Sequence, residues 1–357
     1  MHCLKNIHYT KIPNDIIKLY LQIYPFIGRN QDMLRSVSKD FDVLVAQTIQ
    51  ADAYFFGQML KLNISEARYK AILTKDVQAK TKDERLLKNM AKAFEKVHNQ
   101  TETFTLYVSE IFDLLKFLYK GVEAEGHLYY AKSEKKKKET TDLLSSAYPT
   151  KREALEALIT EYKSLKNKAD YEMSFLITNF YIDFINLKPF TLHNEVLGLM
   201  LLYILHLTNG YESLHLASLF ELFYKQSAKL DKHTKDASHN WAEGLADTMQ
   251  LHRFILELML ESYKSLHELL RNYAFDQQTN KSDYIENTIN RLEEVFTKEE
   301  IRAQHPTISE STINRTLKRL RDEKKIRPLG KGRSAKWMKL YPTQKKNTVY
   351  DQLKLKV

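Results

Sequence analysis

A single cysteine, Cys3, stands in a chain of 357 residues. No internal disulfide framework can form, and no cysteine-based zinc spacing exists. Glycine and proline are also scarce, at nine and seven residues, which argues against an all-β protein built on tight turns. The longest apolar run, Val196 to Leu207, contains His206 and falls short of the roughly 20 residues a membrane-spanning helix needs. The amino terminus carries no apolar core followed by a small-residue cleavage site, so secretion is not expected. These absences leave a cytoplasmic, mostly α chain without a membrane partner. Its 43% apolar and 11% aromatic residues suffice for a sizeable core. At this length two domains are expected.

Positive charge is plentiful but unevenly placed. From Glu310 to Leu340 there are eleven Lys or Arg against three Asp or Glu, a net of +8 in a chain whose total is +10. A basic concentration on one segment points to a polyanion contact. The periodicity divides the chain into an amino-terminal helical region (1–100), a large apolar middle (101–275), a polar linker (276–282), a basic module (283–343) and a polar tail (344–357). In the first region Asp15–Gly28 and Arg35–Gly57 have helical spacing. Glu84–His98 places Leu87, Met90, Ala91 and Phe94 at helical intervals. In the middle region Phe175–Leu187 and Val196–Leu207 are apolar around most of their circumference, which predicts helices buried at a domain centre.

The basic module is the most legible part. Tyr284–Val295 is predicted as a first helix, with Ile285, Ile289, Leu292 and Val295 on one face. Thr297 and Glu300 form a capping box that opens a short second helix through Gln304. His305-Pro306 ends that helix, and Ser309 caps a third that runs to about Lys324. Then come Ile326–Leu329, a Gly330-Lys331-Gly332-Arg333 tip and Ser334–Tyr341. This order describes a helix-turn-helix with a wing, and double-stranded DNA is the expected partner. Ser311 and Arg315 lie near the start of the third helix, where base edges are reached in such motifs. Lys318, Arg319, Lys331, Arg333 and Lys336 are expected on phosphates, giving affinity without sequence information. Trp337 and Tyr341 read as core aromatics of this module.

A second feature lies between the two apolar segments. Lys188 to Leu199 reads KPFTLHNEVLGL. This stretch resembles the H-x-F-x-(D/E)-G-N-G-R-x-x-R motif of the Fic (Fido) family, whose enzymes move AMP or a related phosphate-containing group onto protein hydroxyls. Ser145 to Leu155 is similar to that family's flap and the helix after it. Asp52-Ala53-Tyr54-Phe55-Phe56-Gly57 is similar to its inhibitory (S/T)-x-x-x-E-(G/N) motif, and a carboxy-terminal winged helix is a common appendage there. Most of the motif's chemistry is replaced. Lys188 holds the place of the histidine base, and a lysine normally titrates near 10.4. Leu192 replaces the acidic Mg²⁺ ligand, and an alkyl group cannot ligate a hard cation. His193-Asn194-Glu195 replaces the phosphate-binding G-N-G turn, while Val196 and Leu199 replace both arginines. Phe56 stands where the inhibitory glutamate would be.

Pro189, Phe190, Asn194 and Gly198 remain, and Phe190 is a packing position. The resemblance therefore implies a Fic-like helical fold kept without its catalysis, with no cofactor. The expectation is a DNA-binding transcriptional regulator or scaffold, with a homodimer or a protein partner. Two alternatives stay open. One is an active nucleotidyltransferase with a non-standard site, using ATP and Mg²⁺, with His193 as a relocated base. The other is an interaction module that never touches DNA.

Overall fold

The computed structural model describes residues 2–75, 77–101, 104–132, 148–278, 281–305, 308–330 and 335–340. The chain forms two units. One contains the residues up to Arg35 together with Leu44–Glu268; the other contains Ser36–Val43 and the residues from Leu269 on. Along the chain come α1 (His2–Lys5), α2 (Asn14–Ile27), α3 (Asn30–Ser36), α4 (Phe41–Met59), α5 (Glu66–Lys75), α6 (Lys82–Asn99) and α7 (Val108–Leu118). They are followed by α8 (Lys151–Lys168), α9 (Met173–Leu187), α10 (Asn194–Leu207), α11 (Leu219–Lys225), α12 (Ser227–Ser238) and α13 (Met249–Gln278). Among the described residues no helix is long and apolar enough to cross a membrane.

The first unit is organised around α9 and α10. Thirteen of the fifteen residues of α9 are buried, as its all-round apolar sequence requires. It packs on α10, α8 and α1. The Glu172 side chain caps it by accepting the Phe175 N–H, and it stops at Lys188, whose φ of 47° is left-handed before Pro189. A Cβ on Gly198 would lie 2.6 Å from Ile185 Cγ2 and 3.2 Å from Tyr181 Cε2. That glycine therefore sets the close approach of α10 to α9.

The polar groups on α9 have partners, as burial demands. Ser174 Oγ meets His206 Nε2 at 2.9 Å, and Thr178 Oγ1 meets His252 Nδ1 at 3.2 Å. The Asp183 carboxylate is fully buried. It accepts the backbone N–H groups of His2, Cys3 and Leu4 at 3.0 Å each and the Trp241 indole N–H at 2.7 Å. It thus satisfies donors that the first turn of α1 leaves without helical acceptors.

Two amino-terminal expectations change in detail. Arg35–Gly57 is not one helix: α3 ends at Ser36 and α4 begins at Phe41. The intervening Val37–Asp40 turn is closed by the Asp40 N–H on Val37 O, and Asp40 accepts the Tyr273 hydroxyl at 2.6 Å. Serine and aspartate side chains favour such breaks because they compete for backbone partners. In α6, capped by the Thr81 side chain on the Glu84 N–H, Leu87, Met90 and Phe94 are buried while Ala91 is half-buried.

The second unit holds α14 (Lys281–Arg291), β1 (Val295–Phe296), α15 (Lys298–Gln304), α16 (Glu310–Asp322), β2 (Ile326–Pro328) and β3 (Trp337–Lys339). The strands form an antiparallel sheet in the order β1-β3-β2. Ile285, Ile289, Phe296, Ile313, Leu317 and Trp337 lie in its core. Both expected caps are present: Thr297 and Glu300 exchange their bonds, and Ser309 accepts the Thr312 N–H. The first helix stops short of its expected end. Val295 lies in β1 opposite Met338 and is 39% exposed. Continuing the helix would place Glu293 and Glu294 in its last turn, against the helix dipole; the strand instead gains ladder bonds. The stretch expected as a linker is helical at Asp276–Gln278 and again from Lys281.

Candidate functional site

The loop between α9 and α10 is held from three sides. Tyr130 bridges Phe190 in antiparallel fashion. Ala131 N–H donates to Pro189 O at 2.9 Å and Thr191 N–H to Tyr129 O at 3.0 Å. Thr191 Oγ1 donates to His127 O at 2.7 Å. The Asn194 amide closes the loop internally: its Oδ1 accepts the Phe190 N–H at 3.0 Å and its Nδ2 donates to Phe190 O at 2.7 Å. Phe190 is buried and stacks on Phe112, with centroids 5.5 Å apart and planes 8° off parallel. The retained Asn194, Phe190 and Gly198 thus hold the loop closed, fill the core and set a helix crossing.

The replaced positions lie differently. Lys188, Leu192 and Glu195 are exposed, and Val196 and Leu199 are half-buried. His193 occupies the N-cap position of α10 with a left-handed φ of 63° and makes no side-chain capping bond. Its ring stacks on Tyr119 at 3.6 Å, 9° from parallel, and its Nε2 lies 3.3 Å from Glu123 Oε1. Desolvation lowers the His193 pKa, while the bond and charge of Glu123 pull it up. Burial raises the Tyr119 phenol, with Glu123 adding to it. Tyr119 and Glu123 also line a cavity of about 490 Å³ with Lys116, Phe117 and Lys120. His193 is therefore the one replaced position joined to an acid beside open space. Among the described residues no cluster of His, Cys, Asp or Glu has the spacing of a metal site.

The segment similar to the inhibitory motif is wholly buried at its ends. Phe56 stacks on Phe220 at 4.2 Å and lies 6.5 Å from Phe94. A Cβ on Gly57 would come within 2.9 Å of the Tyr69 hydroxyl, so a larger residue there would have to displace that ring. Asp52 Oδ1 accepts from Ser218 Oγ at 2.6 Å and Phe220 N–H at 3.0 Å. Burial raises its carboxyl to about 7 against those bonds. Nearby, Tyr203 OH meets His98 Nε2 at 2.7 Å, and His98 Nδ1 meets His215 Nδ1 at 2.9 Å. Sequence reasoning missed this buried chain. Its members lie on α4, α6, α10 and the Glu212–His215 turn, and no local pattern links them. His206 is structural by its contacts, with Nδ1 on Leu202 O and Nε2 on Ser174.

In the second unit α16 separates the cations that its sequence groups together. Ser311, Arg315 and Lys318 are exposed; Ser311 Oγ bonds Ser309 Oγ. No ion pair involving Arg315 or Lys318 is found among the described residues. Arg319 is instead engaged on α14: its Nη2 lies 2.7 Å from Glu286 Oε2 and 3.7 Å from Asp283, and its Nη1 lies 3.4 Å from Glu323. Lys325 shares Glu286 at 2.5 Å. Lys336 is exposed next to β3, with its carbonyl accepting the Leu329 N–H. Trp337 is buried. Lys331, Arg333, Tyr341 and Ser145–Ala147 lie outside the described residues.

No protein-family model matches this sequence, and no curated protein matches it. Solved structures do match by shape. A Fic family protein from Desulfovibrio desulfuricans G20 aligns over 94% of this chain and 98% of its own, at 12% identity and a TM-score of 0.51. A Fic domain containing signaling protein from Bacteroides thetaiotaomicron covers 69% of this chain and 98% of its own, at 12% identity and a TM-score of 0.52. This mostly helical chain has the fold of the Fic proteins.

Proposed function

We propose that this protein is a Fic-fold regulator whose motif loop no longer transfers a nucleotide and whose basic second unit is a winged helix that binds double-stranded DNA. The observation that carries the DNA reading is the outer face of α16. Arg315 and Lys318 stand exposed there with no acidic partner among the described residues, while the same helix spends Arg319 on Glu286 and Asp283. Exposed cations one turn apart on a helix at the edge of a small three-stranded sheet suit phosphate and base-edge contact. The loss of catalysis rests on chemistry at the loop: an exposed Lys188 in place of a base, Leu192 in place of a metal ligand, and Glu195 where phosphate would bind. A carboxylate at that helix start competes with phosphate for the same amides.

The test is fluorescence anisotropy of the full chain with labelled duplexes. Arg315→Ala with Lys318→Ala should abolish binding at concentrations where the wild type saturates, while Arg319→Ala should act chiefly through the stability of the unit. Wild-type protein that leaves every duplex free would sink the DNA reading and favour a protein-contact module.

A second reading has one observation in its favour, the His193–Glu123 pair beside the 490 Å³ cavity. A histidine oriented by a carboxylate is the arrangement of a general base. Incubation with labelled ATP and Mg²⁺ separates the two. Covalent label that vanishes in His193→Ala would restore the transferase, and no label on this protein or on a lysate is the expected result.

A further inference from the structure

The second unit has a cavity of about 230 Å³ between the carboxy-terminal part of α13 and α14, lined by Arg271, Asn272, Tyr284, Asn287, Thr288 and Arg291. Its lining contains two arginines, two amides, a hydroxyl and a phenol, and no carboxylate. Neither Arg271 nor Arg291 has an ion pair among the described residues, although Asp283 and Glu286 on the same α14 both engage Arg319. The acids of α14 are thus spent on Arg319, and the two arginines line the cavity with no acidic partner among the described residues. Two cations around one small space repel each other until an anion enters.

We propose that this cavity is a binding site for a small phosphate monoester. A guanidinium presents a rigid fork of donors that matches phosphate oxygens in pairs, and the cavity lining holds two of them. Asn272 and Asn287 supply neutral donors and acceptors for hydroxyls on the ester stem. The floor is fixed. Thr288 is buried, and its Oγ1 lies 2.6 Å from His305 Nε2. Tyr284 meets the His305 ring edge-on at 4.2 Å. Burial lowers His305 to about 4, so the floor adds no positive charge at neutral pH. The volume lies below the usual range for drug-sized pockets, which selects a ligand of a few carbons over a nucleotide. The site is independent of whether α16 binds DNA.

Calorimetric titration of the full chain tests this, with ribose 5-phosphate, ribose and inorganic phosphate as probes. Ribose 5-phosphate should bind, inorganic phosphate more weakly, and ribose not at all. Arg271→Ala and Arg291→Ala should each weaken the phosphate ester by about tenfold or more, the loss of one charge-assisted bidentate contact. Both arginines are exposed, so the variants should keep the wild-type melting temperature, and Arg291→Lys should recover part of the affinity. Equal binding of ribose and its phosphate overturns the proposal, as does unchanged affinity in the double variant that combines Arg271→Ala with Arg291→Ala, or no binding of either phosphate. Duplex DNA binding that falls in the double variant, without any ester binding, overturns it too and reassigns both arginines to a nucleic-acid backbone.

Discussion

Asp183→Ala is the sharpest test of how the first unit holds together. The carboxylate lies inside α9, fully buried, with three α1 amides and the Trp241 indole as its donors. A hydrogen bond to a charged acceptor contributes about 1.5–3 kcal/mol, and a buried donor left without an acceptor costs its desolvation. The four bonds share one carboxylate and do not add, so the expected loss is about 3–5 kcal/mol. Asp183→Asn keeps the volume and one acceptor but turns an N–H₂ toward donors, and should fall between the two. Urea unfolding followed by tryptophan emission reads this directly. In a Trp337→Phe background the only remaining indole, Trp241, is the one bonded to Asp183. Cys3 offers a second readout, because burial and the Asp183 charge push its thiol well above its ordinary value. It should resist thiol reagents in the wild type and react in the alanine variant as α1 detaches. A stability change under about 1 kcal/mol, with Cys3 still protected, would show that α1 is held by something other than this carboxylate.

Three further outcomes follow from the buried groups. Asp52, raised from 3.8 to about 7 chiefly by burial, keeps its proton more tightly in the folded state than in the unfolded state. Its contribution is therefore full below pH 4 and is lost as pH rises through 7. Asp52→Asn should remove that loss and stabilise the protein at pH 8 by up to about 4 kcal/mol, measured as a pH series of urea midpoints. His98, His206, His215 and His252 lie at about 3, 4, 4 and 3, depressed by desolvation. The fold holds them neutral, so their contribution is full above pH 6.5 and fades as pH falls toward 4. Each approaches about 1.4 kcal/mol per pH unit, and melting temperature should drop steeply between pH 6 and 4; a flat profile there would mean that these rings are solvated. Gly198→Ala forces a methyl against Ile185 Cγ2 and should cost about 1–3 kcal/mol. Ile185→Ala in the same chain should return part of it.

Local chemistry carried the sequence reading furthest. The capping box of α15, the Ser309 cap and the two all-apolar helices are visible because each depends on residues within one or two turns. β1 leaves no signal in the sequence because a two-residue strand has no period, and Val295 continues the stripe of Ile285 and Ile289. The polar DQQTNKS run reads as a linker on composition, and the described residues Asp276–Gln278 and Lys281–Ser282 within it belong to two separate helices. In the site, helical geometry placed Arg315, Lys318 and Arg319 together. Their separation depends on Glu286, 33 residues away from Arg319. The Asp183 clamp spans about 180 residues, and the Asp52–Ser218 contact spans 166. No window along the chain contains both halves of such pairs.

The engagement of Arg319 has a consequence for counting ions. A polyanion held by Z lysines and arginines sheds condensed counterions, and log K falls against log salt with a slope of about −0.9Z on B-form DNA. If all eleven Lys and Arg between Glu310 and Leu340 faced phosphates, the slope would be near −10. Arg319, Arg321 and Lys325 already face carboxylates, and a cation neutralised inside the protein releases nothing from the nucleic acid. Among the described residues Arg315, Lys318 and Lys336 remain as contacts and contribute about −3 to the slope, and Lys331 and Arg333, expected on phosphates as well, would bring it to about −4.5. A salt titration therefore counts how many of this segment's charges face outward.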